Sequence, residues 1–385
     1  MKNKNNDVDS EISRYFDSME LRTSNLPAWQ ITDFLGEGRC GRVYKIERTQ
    51  EGITESAAIK VISIPNNKSR YDSVRTSLEG EEEADRYLAE MMNHIEFIHI
   101  MNDCPNIVSI YDWRAIEKEN GSGWYIFIYM ELLTPLREQF RSKPVTETDV
   151  IKLGKDICTA LERCDRVNII HGDIKPDNIL VDKNGDYKLA DLGMGRLFYD
   201  DIYDARDNVQ FYMPPEINKK DCYNRTADIY SLGIIMYELL SGFGPAFTSE
   251  NKSGLSVHRA LITHLDGVPL PEPEHGTHAL KKIVLKACEY NMGNRYRSAG
   301  EMRRDLEIIS GGTYPSDFAE QICQRCGYSN PAENIFCCSC GSRLEEEDNI
   351  RMPYESPFPE PYPTMILYAS PDTGFLSKLK KIFGK

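Results

Sequence analysis

The sequence predicts an α+β fold in which strands come first and helices follow, with a small cysteine-rich module after them. Residues 31–62 alternate apolar segments with a glycine-rich turn and a polar turn, a pattern typical of three consecutive strands. Residues 78–101 and 148–166 carry the apolar spacing of amphipathic helices. Five of the 11 cysteines fall between residues 323 and 340. We therefore expect a mixed globular domain followed by a separate module.

The composition describes a globular, acidic protein. The chain has 385 residues, of which 41% are hydrophobic and 28% charged, and its formal net charge is −14. This charge argues against nucleic-acid binding, which relies on Lys and Arg contacts to phosphates. No apolar run approaches the roughly 20 residues of a membrane-spanning helix, and residues 1–10 lack the apolar core of a signal peptide. We expect a cytoplasmic protein whose cysteines need not form disulfides.

The first predicted strands enclose a glycine-rich turn. Residues 36–41 read Gly-Glu-Gly-Arg-Cys-Gly, and such glycines let backbone N–H groups approach phosphate oxygens. This spacing alone is weak, because dinucleotide-binding proteins share it. Here a third strand containing Ala58-Ile59-Lys60 follows instead of a helix. The pattern favours the strand–turn–strand form of the motif, and a hairpin with an exposed lysine is the alternative.

A second group of polar residues has a closely defined spacing. Residues 171–180 have the sequence HGDIKPDNIL, and the sequence DLG begins at residue 191. Phosphoryl transfer requires bound metal ions, positive charge on the moving group and a positioned acceptor hydroxyl. Each polar residue alone would be ordinary in a loop, but the joint spacing with strand-like segments between them indicates this chemistry. The candidate residues are Asp173, Lys175, Asn178 and Asp191.

These motifs resemble the catalytic and metal-binding loops of eukaryotic-type Ser/Thr protein kinases, and the resemblance covers about residues 29–309. It implies a bilobal protein-kinase fold, with a small β-rich N-lobe over a larger helical C-lobe and the nucleotide between them. It also implies ATP, Mg²⁺ and protein substrates. Asp173 would be the base or orienter for the acceptor hydroxyl, Lys175 would contact the γ-phosphate, and Asn178 and Asp191 would bind Mg²⁺.

The resemblance also implies the nucleotide contacts. Lys60 would contact the α- and β-phosphates, the backbone at Glu131 and Leu133 would hydrogen-bond adenine, and Met130 would limit the pocket behind it. The predicted ATP-binding set is Gly36, Glu37, Gly38, Gly41, Val43, Ala58, Lys60, Met130, Glu131 and Leu133.

One departure concerns the partner of Lys60. In the resembled family, a helix supplies a Glu that pairs with this lysine, and counting back from residues 105–108 puts that position at His94. Glu90, one turn earlier, or Glu83 in another register could substitute. Without a carboxylate, Lys60 loses an ion pair whose main role is positional.

Other departures concern regulation. Gly172 stands where many family members have Arg, and Val209 stands where the family usually has Thr. Residues 194–213 contain no Ser or Thr. We therefore hypothesise an active state that is constitutive or controlled by a partner. The tyrosines of this segment are Tyr199, Tyr203 and Tyr212.

Three further residues match structural positions of the family. Glu216 follows two prolines, Asp228 lies in a helix-like segment and would support the catalytic loop, and Arg295 would be the buried partner of Glu216. Kinases of small molecules generally lack this set, which disfavours that alternative, and Lys175 favours Ser/Thr over Tyr acceptors. A kinase-like scaffold that works through nucleotide binding and the cysteine module is the other alternative.

The cysteine module contains two Cys-x-x-Cys pairs separated by ten residues, and each pair is followed by Gly. Four thiolates form a closed tetrahedral Zn²⁺ site, so the module looks like a bacterial-type zinc ribbon with a structural metal. A redox dithiol is the alternative, and Cys338 would be a spare. The net charge favours an unknown protein as the partner of the ribbon. The predicted ligands are Cys323, Cys326, Cys337 and Cys340.

The predicted organisation ends in a basic tail whose apolar residues share one helical face. The tail fits either a membrane-surface or partner-docking helix or a disordered end. The predicted segments are a polar N-terminal segment (1–28), the kinase domain (29–309), a linker (310–319), the zinc ribbon (320–345), an acidic and Pro-rich linker (346–374) and the basic tail (375–385).

Overall fold

The computed structural model describes two units, one up to Thr134 and one from Pro135 onward. The first is built on a β-sheet and the second is mainly helical, as the sequence predicts. The described residues are 12–14, 16, 29–38, 41–64, 92, 95–96, 98–99, 101–118, 123–141, 144–192, 212–218, 224–242, 252–311, 320–322, 325, 329–331 and 342–343.

The first unit contains a five-stranded antiparallel sheet with the order β1-β2-β3-β5-β4. The three strands predicted over residues 31–62 lie within it, so that prediction is confirmed. The edge strand β4 was not predicted, because Asp112 and Arg114 interrupt its apolar pattern. The strands are β1 (Gln30–Gly38), β2 (Gly41–Gln50), β3 (Ile53–Ile64), β4 (Ile110–Glu117) and β5 (Trp124–Met130).

Helical residues accompany the sheet of the first unit. Residues 92, 95–96 and 98–99 are helical, within the predicted stretch 78–101, and Met92, Ile95 and Ile98 are buried. Their spacing of three residues puts these side chains on one helical face.

The N-terminal segment contributes to the core of the first unit. Ile12 and Phe16 are helical and only 2% and 3% exposed, in a cluster with side chains of β2, β3 and β5. The predicted domain boundary at residue 29 leaves these two residues outside. Their spacing of four residues was the available signal, but a single apolar pair in a polar segment is too little to predict packing.

The second unit is built from helices, and its long helix α2 has a clear start signal. The Asp149 N–H donates to the Thr146 hydroxyl at 3.2 Å, and the Thr146 N–H donates to the Asp149 carboxylate at 3.0 Å. This capping box satisfies backbone donors that the helix leaves unpaired. The helices are α1 (Leu136–Gln139), α2 (Glu147–Asp165), α3 (Pro215–Asn218), α4 (Thr226–Leu240), α5 (Lys252–Leu265), α6 (His278–Ala287) and α7 (Ala299–Ser310).

Helix α4 forms the centre of the second unit. Its sequence is apolar on nearly all sides, and every residue from Ala227 to Leu240 is buried. A Cβ atom on Gly233 would lie 2.8 Å from the Cβ atom of Ala287, so the glycine permits close packing of α4 on α6. Asp228 lies in the first turn of this buried helix.

Short strands complete the described chain. Strand β6 (Thr134–Pro135) contains the last residue of the first unit and the first residue of the second along the chain. Strand β7 (Ile179–Val181) pairs antiparallel with β8 (Tyr187–Leu189). Strands β9 (Glu320–Ile322) and β10 (Ser329–Pro331) form a separate antiparallel pair. Within the described ranges, no helix is long and apolar enough to cross a membrane.

Candidate active site

The loop of residues 171–178, between α2 and β7, brings three predicted residues together. The Lys175 ammonium lies 2.7 Å from Asp173 Oδ2. The Asn178 amide nitrogen donates to the backbone carbonyl of Asp173 at 2.7 Å and to Asp173 Oδ2 at 3.1 Å. The Asp173 side chain is only 8% exposed, so its carboxylate has a fixed orientation.

A buried carboxylate beneath this loop holds its backbone. Asp228 Oδ2 accepts the N–H of His171 at 2.8 Å, and Oδ1 accepts the N–H of Gly172 at 2.9 Å. Burial raises the pKa of Asp228, and these two backbone hydrogen bonds oppose that rise. Gly172 has a φ of 77°, a conformation that glycine adopts without steric cost. The predicted supporting residue therefore lies directly under the loop.

His171 ties the loop to the segment that precedes Asp191. Its Nδ1 accepts the N–H of Asp173 at 3.2 Å, and its Nε2 lies 2.7 Å from the carbonyl oxygen of Ala190. Because Nδ1 must accept and Nε2 must donate, these contacts assign the neutral tautomer protonated on Nε2. His171 was not among the predicted site residues, although its position two residues before Asp173 was a signal.

The predicted metal-facing residues are also connected. The N–H of Ala190 donates to the backbone carbonyl of Asn178 at 2.8 Å, and Asp191 follows with a φ of 58°. Since the amide nitrogen of Asn178 is directed at Asp173, its amide oxygen is directed away from it. An amide oxygen and a carboxylate are the oxygen ligands that Mg²⁺ prefers, so this pair of residues fits the ion.

The predicted phosphate contacts of the first unit lie on neighbouring strands. Lys60 on β3 is 5% exposed and is paired with Val43 on β2 and Ile128 on β5. Gly41 has a φ of 132°, and a Cβ atom there would lie 2.2 Å from the backbone oxygen of Val61. Only glycine allows β2 to begin this close to β3. The approach of this turn to phosphate oxygens stays a prediction.

The remaining predicted nucleotide residues lie in or next to the same sheet. Glu131 donates its N–H to the Ser109 carbonyl at 3.2 Å and accepts the Ser109 N–H on its side chain at 2.7 Å. The predicted adenine contact at Glu131 therefore depends on its carbonyl oxygen. Gly36, Glu37 and Gly38 lie in β1, Ala58 pairs with Met130, and Leu133 follows β5.

Glu216 and Arg295 form a buried, bidentate ion pair. The two guanidinium nitrogens lie 2.6 and 2.9 Å from the two carboxylate oxygens. Arg295 also donates to the backbone carbonyls of Glu289 and Tyr290, and its guanidinium lies 4.7 Å from the centre of the Tyr230 ring. The structure thus brings the two predicted residues together, 79 positions apart in sequence.

Tyr212 is buried next to Glu238, an acidic residue that was not among the predicted site residues. Its hydroxyl donates to Glu238 Oε2 at 2.8 Å, and its carbonyl oxygen accepts the Ser231 hydroxyl at 2.6 Å. Tyr212 is 8% exposed, so the described conformation does not offer its hydroxyl to another kinase. Burial raises the pKa of Glu238 to about 7.

The raised pKa of Glu238 predicts a pH-dependent stability. The folded state binds this proton more tightly than the unfolded chain, so the stabilisation is present below the unfolded pKa of 4.5 and is lost as pH rises through about 7. Between about pH 5 and pH 8, the free energy of unfolding of wild type should fall on the order of 2–3 kcal/mol through this group. Glu238→Gln should lack this fall. Urea unfolding at both pH values measures this. Glu272→Gln, at an exposed position, is the control, and an equal pH dependence in Glu238→Gln and wild type would contradict the expectation.

Several predicted residues lie outside the described part of the chain. They include the candidates for the partner of Lys60, the Thr-equivalent position and the cysteine ligands. Among the described residues, no group of three or more His, Cys, Asp or Glu side chains could hold a metal ion. The predicted residues outside the described ranges are His94, Glu90, Glu83, Val209, Tyr199, Tyr203, Cys323, Cys326, Cys337, Cys338 and Cys340.

Comparison with known proteins identifies the family. Residues 29–305 match the model of the protein kinase domain. The chain therefore belongs to the protein kinase domain family, and its β-sheet unit and helical unit agree with the two lobes that the resemblance implies.

The chain is similar to several curated bacterial kinases. It is 32% identical to serine/threonine-protein kinase PknB of Mycolicibacterium smegmatis over 219 residues, which cover 55% of this chain and 34% of that protein. It is 33% identical to PknB of Mycobacterium tuberculosis H37Rv, with the same coverage of 55% and 34%. It is 26% identical to the probable serine/threonine-protein kinase PknB of Bifidobacterium longum, over 74% of this chain and 40% of that protein. The chain thus spans between 34% and 40% of the length of these relatives.

Proposed function

We propose that this chain transfers the γ-phosphoryl group of ATP to serine or threonine hydroxyls of protein substrates in signalling. The observation that carries the proposal is the cluster of Asp173, Lys175 and Asn178, held from below by Asp228. The similarity to kinases named serine/threonine-protein kinases supports the class of acceptor.

The two carboxylate oxygens of Asp173 would have different roles. Oδ2 accepts hydrogen bonds from Lys175 and Asn178, so Oδ1 is the oxygen that would orient the acceptor hydroxyl and take its proton. The ammonium group of Lys175, 2.7 Å from Asp173, places positive charge where the γ-phosphoryl group would meet the acceptor. Catalysis of this kind is mostly positioning and electrostatic stabilisation.

Different predicted residues would hold the metal ion and the nucleotide. Asn178 and Asp191 would hold Mg²⁺, which neutralises phosphate charge when it is bound. Lys60 and the glycine-rich start of β2 would hold the phosphates, and the backbone at Glu131 and Leu133 would hold adenine. The low exposure of Lys60 and its place on the strand next to the start of β2 support this assignment.

Transfer of labelled γ-phosphate from Mg-ATP tests the proposal. We expect label on the protein or on basic protein acceptors with wild type, and none with Asp191→Asn, which keeps the side-chain shape but weakens a metal ligand. Asp266→Asn, at an exposed position of the second unit, is the matched control and should keep activity. No label with wild type, while ATP still binds, would favour the kinase-like scaffold. The departures from the family pattern that motivate this alternative are His94, Gly172 and Val209.

We also propose that residues 320–345 form a zinc ribbon that binds a protein partner. The described part of this segment supports the idea, since β9 and β10 pair and their connection contains the first Cys-x-x-Cys-Gly sequence. Structural zinc sites commonly take two ligands from each of two such closely spaced cysteine pairs. The four ligands would be Cys323, Cys326, Cys337 and Cys340.

Metal analysis of the purified full-length chain tests the zinc ribbon. Cys338, which is not a predicted ligand, provides the control. We expect about one zinc ion per chain in wild type and in Cys338→Ser, and loss of zinc in Cys337→Ser. Equal zinc content in Cys337→Ser and Cys338→Ser would show that the ligand set is different, and a zinc-free wild type would leave the redox dithiol as the interpretation.

Two further assignments rest on the sequence. We propose a cytoplasmic location, which the buried thiols of Cys158 and Cys288 support, since neither forms a disulfide. Burial raises the pKa of both thiols, so they are unreactive at neutral pH. Docking of residues 375–385 to a partner or membrane surface stays a prediction, because the tail lies outside the described residues.

A further inference from the structure

Two residues that precede the matched kinase domain pack on one face of the sheet in the first unit, which is here called its outer face. Ile12 and Phe16 pack with Tyr44, Ile59 and Val61 in one buried cluster. The remaining members of the cluster are Trp29, Ile46, Ala57, Tyr125 and Phe127, with Ile31, Ile116 and Tyr129 packed against it.

The cluster lies on the face of the sheet opposite to Lys60. Successive side chains of a strand point to opposite faces. Ile59 and Val61 on β3 belong to the cluster, so Lys60 between them is directed to the other face. The same alternation holds on β2, where Tyr44 is in the cluster and Val43 is the cross-strand partner of Lys60.

Tyr44, a member of this cluster, also contacts β1, the strand that carries Gly36 and Gly38. Tyr44 is the cross-strand partner of Ile59, and its ring meets the ring of Phe34 on β1 edge-on at 5.5 Å. Two residues after Phe34, Gly36 pairs with Val43. A contiguous set of packed side chains therefore connects Phe16 and Ile12 to the strands that carry the phosphate-binding groups.

We infer that Ile12 and Phe16 are positioning residues for ATP: by covering the outer face of the sheet they hold β2 and β3 in the geometry that aims Lys60 and the glycine-rich turn. The inference rests on the proposed function and adds a segment outside the family domain to the nucleotide-binding unit. Packing in the core alone would not require Ile12 and Phe16 to affect ATP binding. Loosening the cover would alter the local twist of β2 on β3, and small displacements of a phosphate contact weaken binding.

Steady-state kinetics of the full-length chain separate positioning from stability. Partial unfolding removes active molecules and lowers the apparent kcat, whereas KM is independent of how many molecules are active. We expect Phe16→Ala to raise KM for ATP about 2- to 30-fold, the range of effects for substitutions along a packed network, with a smaller change in kcat. Leu306→Ala removes a side chain that is 0% exposed in the second unit and is the matched stability control. It should leave KM for ATP unchanged.

Graded variants keep the test decisive if Phe16→Ala does not fold. Phe16→Leu and Ile12→Val retain most of the apolar volume, so Phe16→Leu should raise KM for ATP by less than Phe16→Ala does, and Ile12→Val should change it least. An unchanged KM in Phe16→Ala or in Phe16→Leu, or an equal rise in Leu306→Ala, would overturn the inference.

Binding of a fluorescent ATP analogue distinguishes this inference from the proposed function. If wild type binds the analogue but transfers no phosphate, the proposed function fails, and weaker binding by Phe16→Ala than by Leu306→Ala still supports the positioning role. Equal binding by the two variants would overturn it. A wild-type chain that binds no nucleotide would overturn both.

Discussion

Replacing Asp173 with asparagine should lower kcat for phosphoryl transfer by about 10²- to 10⁴-fold, the usual contribution of a positioned base. The amide oxygen can still accept from Lys175 and Asn178 in place of Oδ2, so the loop should keep its conformation. The amide nitrogen then replaces Oδ1 and cannot accept a proton from the substrate hydroxyl. KM for ATP should change little, because the substitution leaves Lys60 and the glycine-rich turn intact.

The neighbouring Asp177 provides a control within the same loop. Its side chain is 59% exposed and pairs with Arg137 at 3.0 Å, so Asp177→Asn should keep kcat within about threefold, as expected for an exposed ion pair. The midpoint of thermal unfolding should match wild type in both variants. If Asp173→Asn retains kcat within about tenfold, Asp173 is not the base or orienter.

The loop around Asp173 could be predicted because its interactions are local. Lys175 and Asn178 reach Asp173 from two and five positions away, so their relative placement follows from a short sequence. The choice of hydrogen-bond partners is less local. The neutral tautomer of His171 depends on the carbonyl of Ala190, 19 positions away, and no residue spacing predicts that contact.

Long-range contacts were predictable only where a family pattern supplied them. Residue types alone would not pair Glu216 with Arg295, and the pairing came from the resemblance. The hydrogen bond from Tyr212 to Glu238 has the same long-range character and was missed. Glu238 is an acidic residue in a mostly apolar helix, which was the signal for a buried partner.

Side chains that act through packing were the least predictable. Phe16 lies in a segment whose average composition is polar, and burial depends on whether a distant sheet face is otherwise uncovered. Strand β4 was missed for a related reason, since its pairing with β5 lets charged residues occupy the exposed positions of an edge strand. In both cases the neighbours, and not the local sequence, decide the structure.

Arg295→Ala should lower the free energy of unfolding by about 3–5 kcal/mol, the usual cost of removing one partner of a buried ion pair. The Arg295 side chain is 0% exposed, and its loss leaves the carboxylate of Glu216 buried without its cation. The carbonyls of Glu289 and Tyr290 lose their donors at the same time. Arg295→Lys should recover only part of the loss, because an ammonium group cannot make the bidentate contact.

A partly exposed arginine in the same unit provides the control for this ion pair. Arg303 pairs with Glu162 and Glu307 but is 30% exposed, so Arg303→Ala should cost about 1 kcal/mol or less by urea unfolding. The double variant Glu216→Leu/Arg295→Met removes both charges and should be more stable than Arg295→Ala, since no unpaired charge remains buried. If Arg295→Ala is no less stable than Arg303→Ala, Glu216 is solvated in the folded chain and the pair does not hold α3 in place.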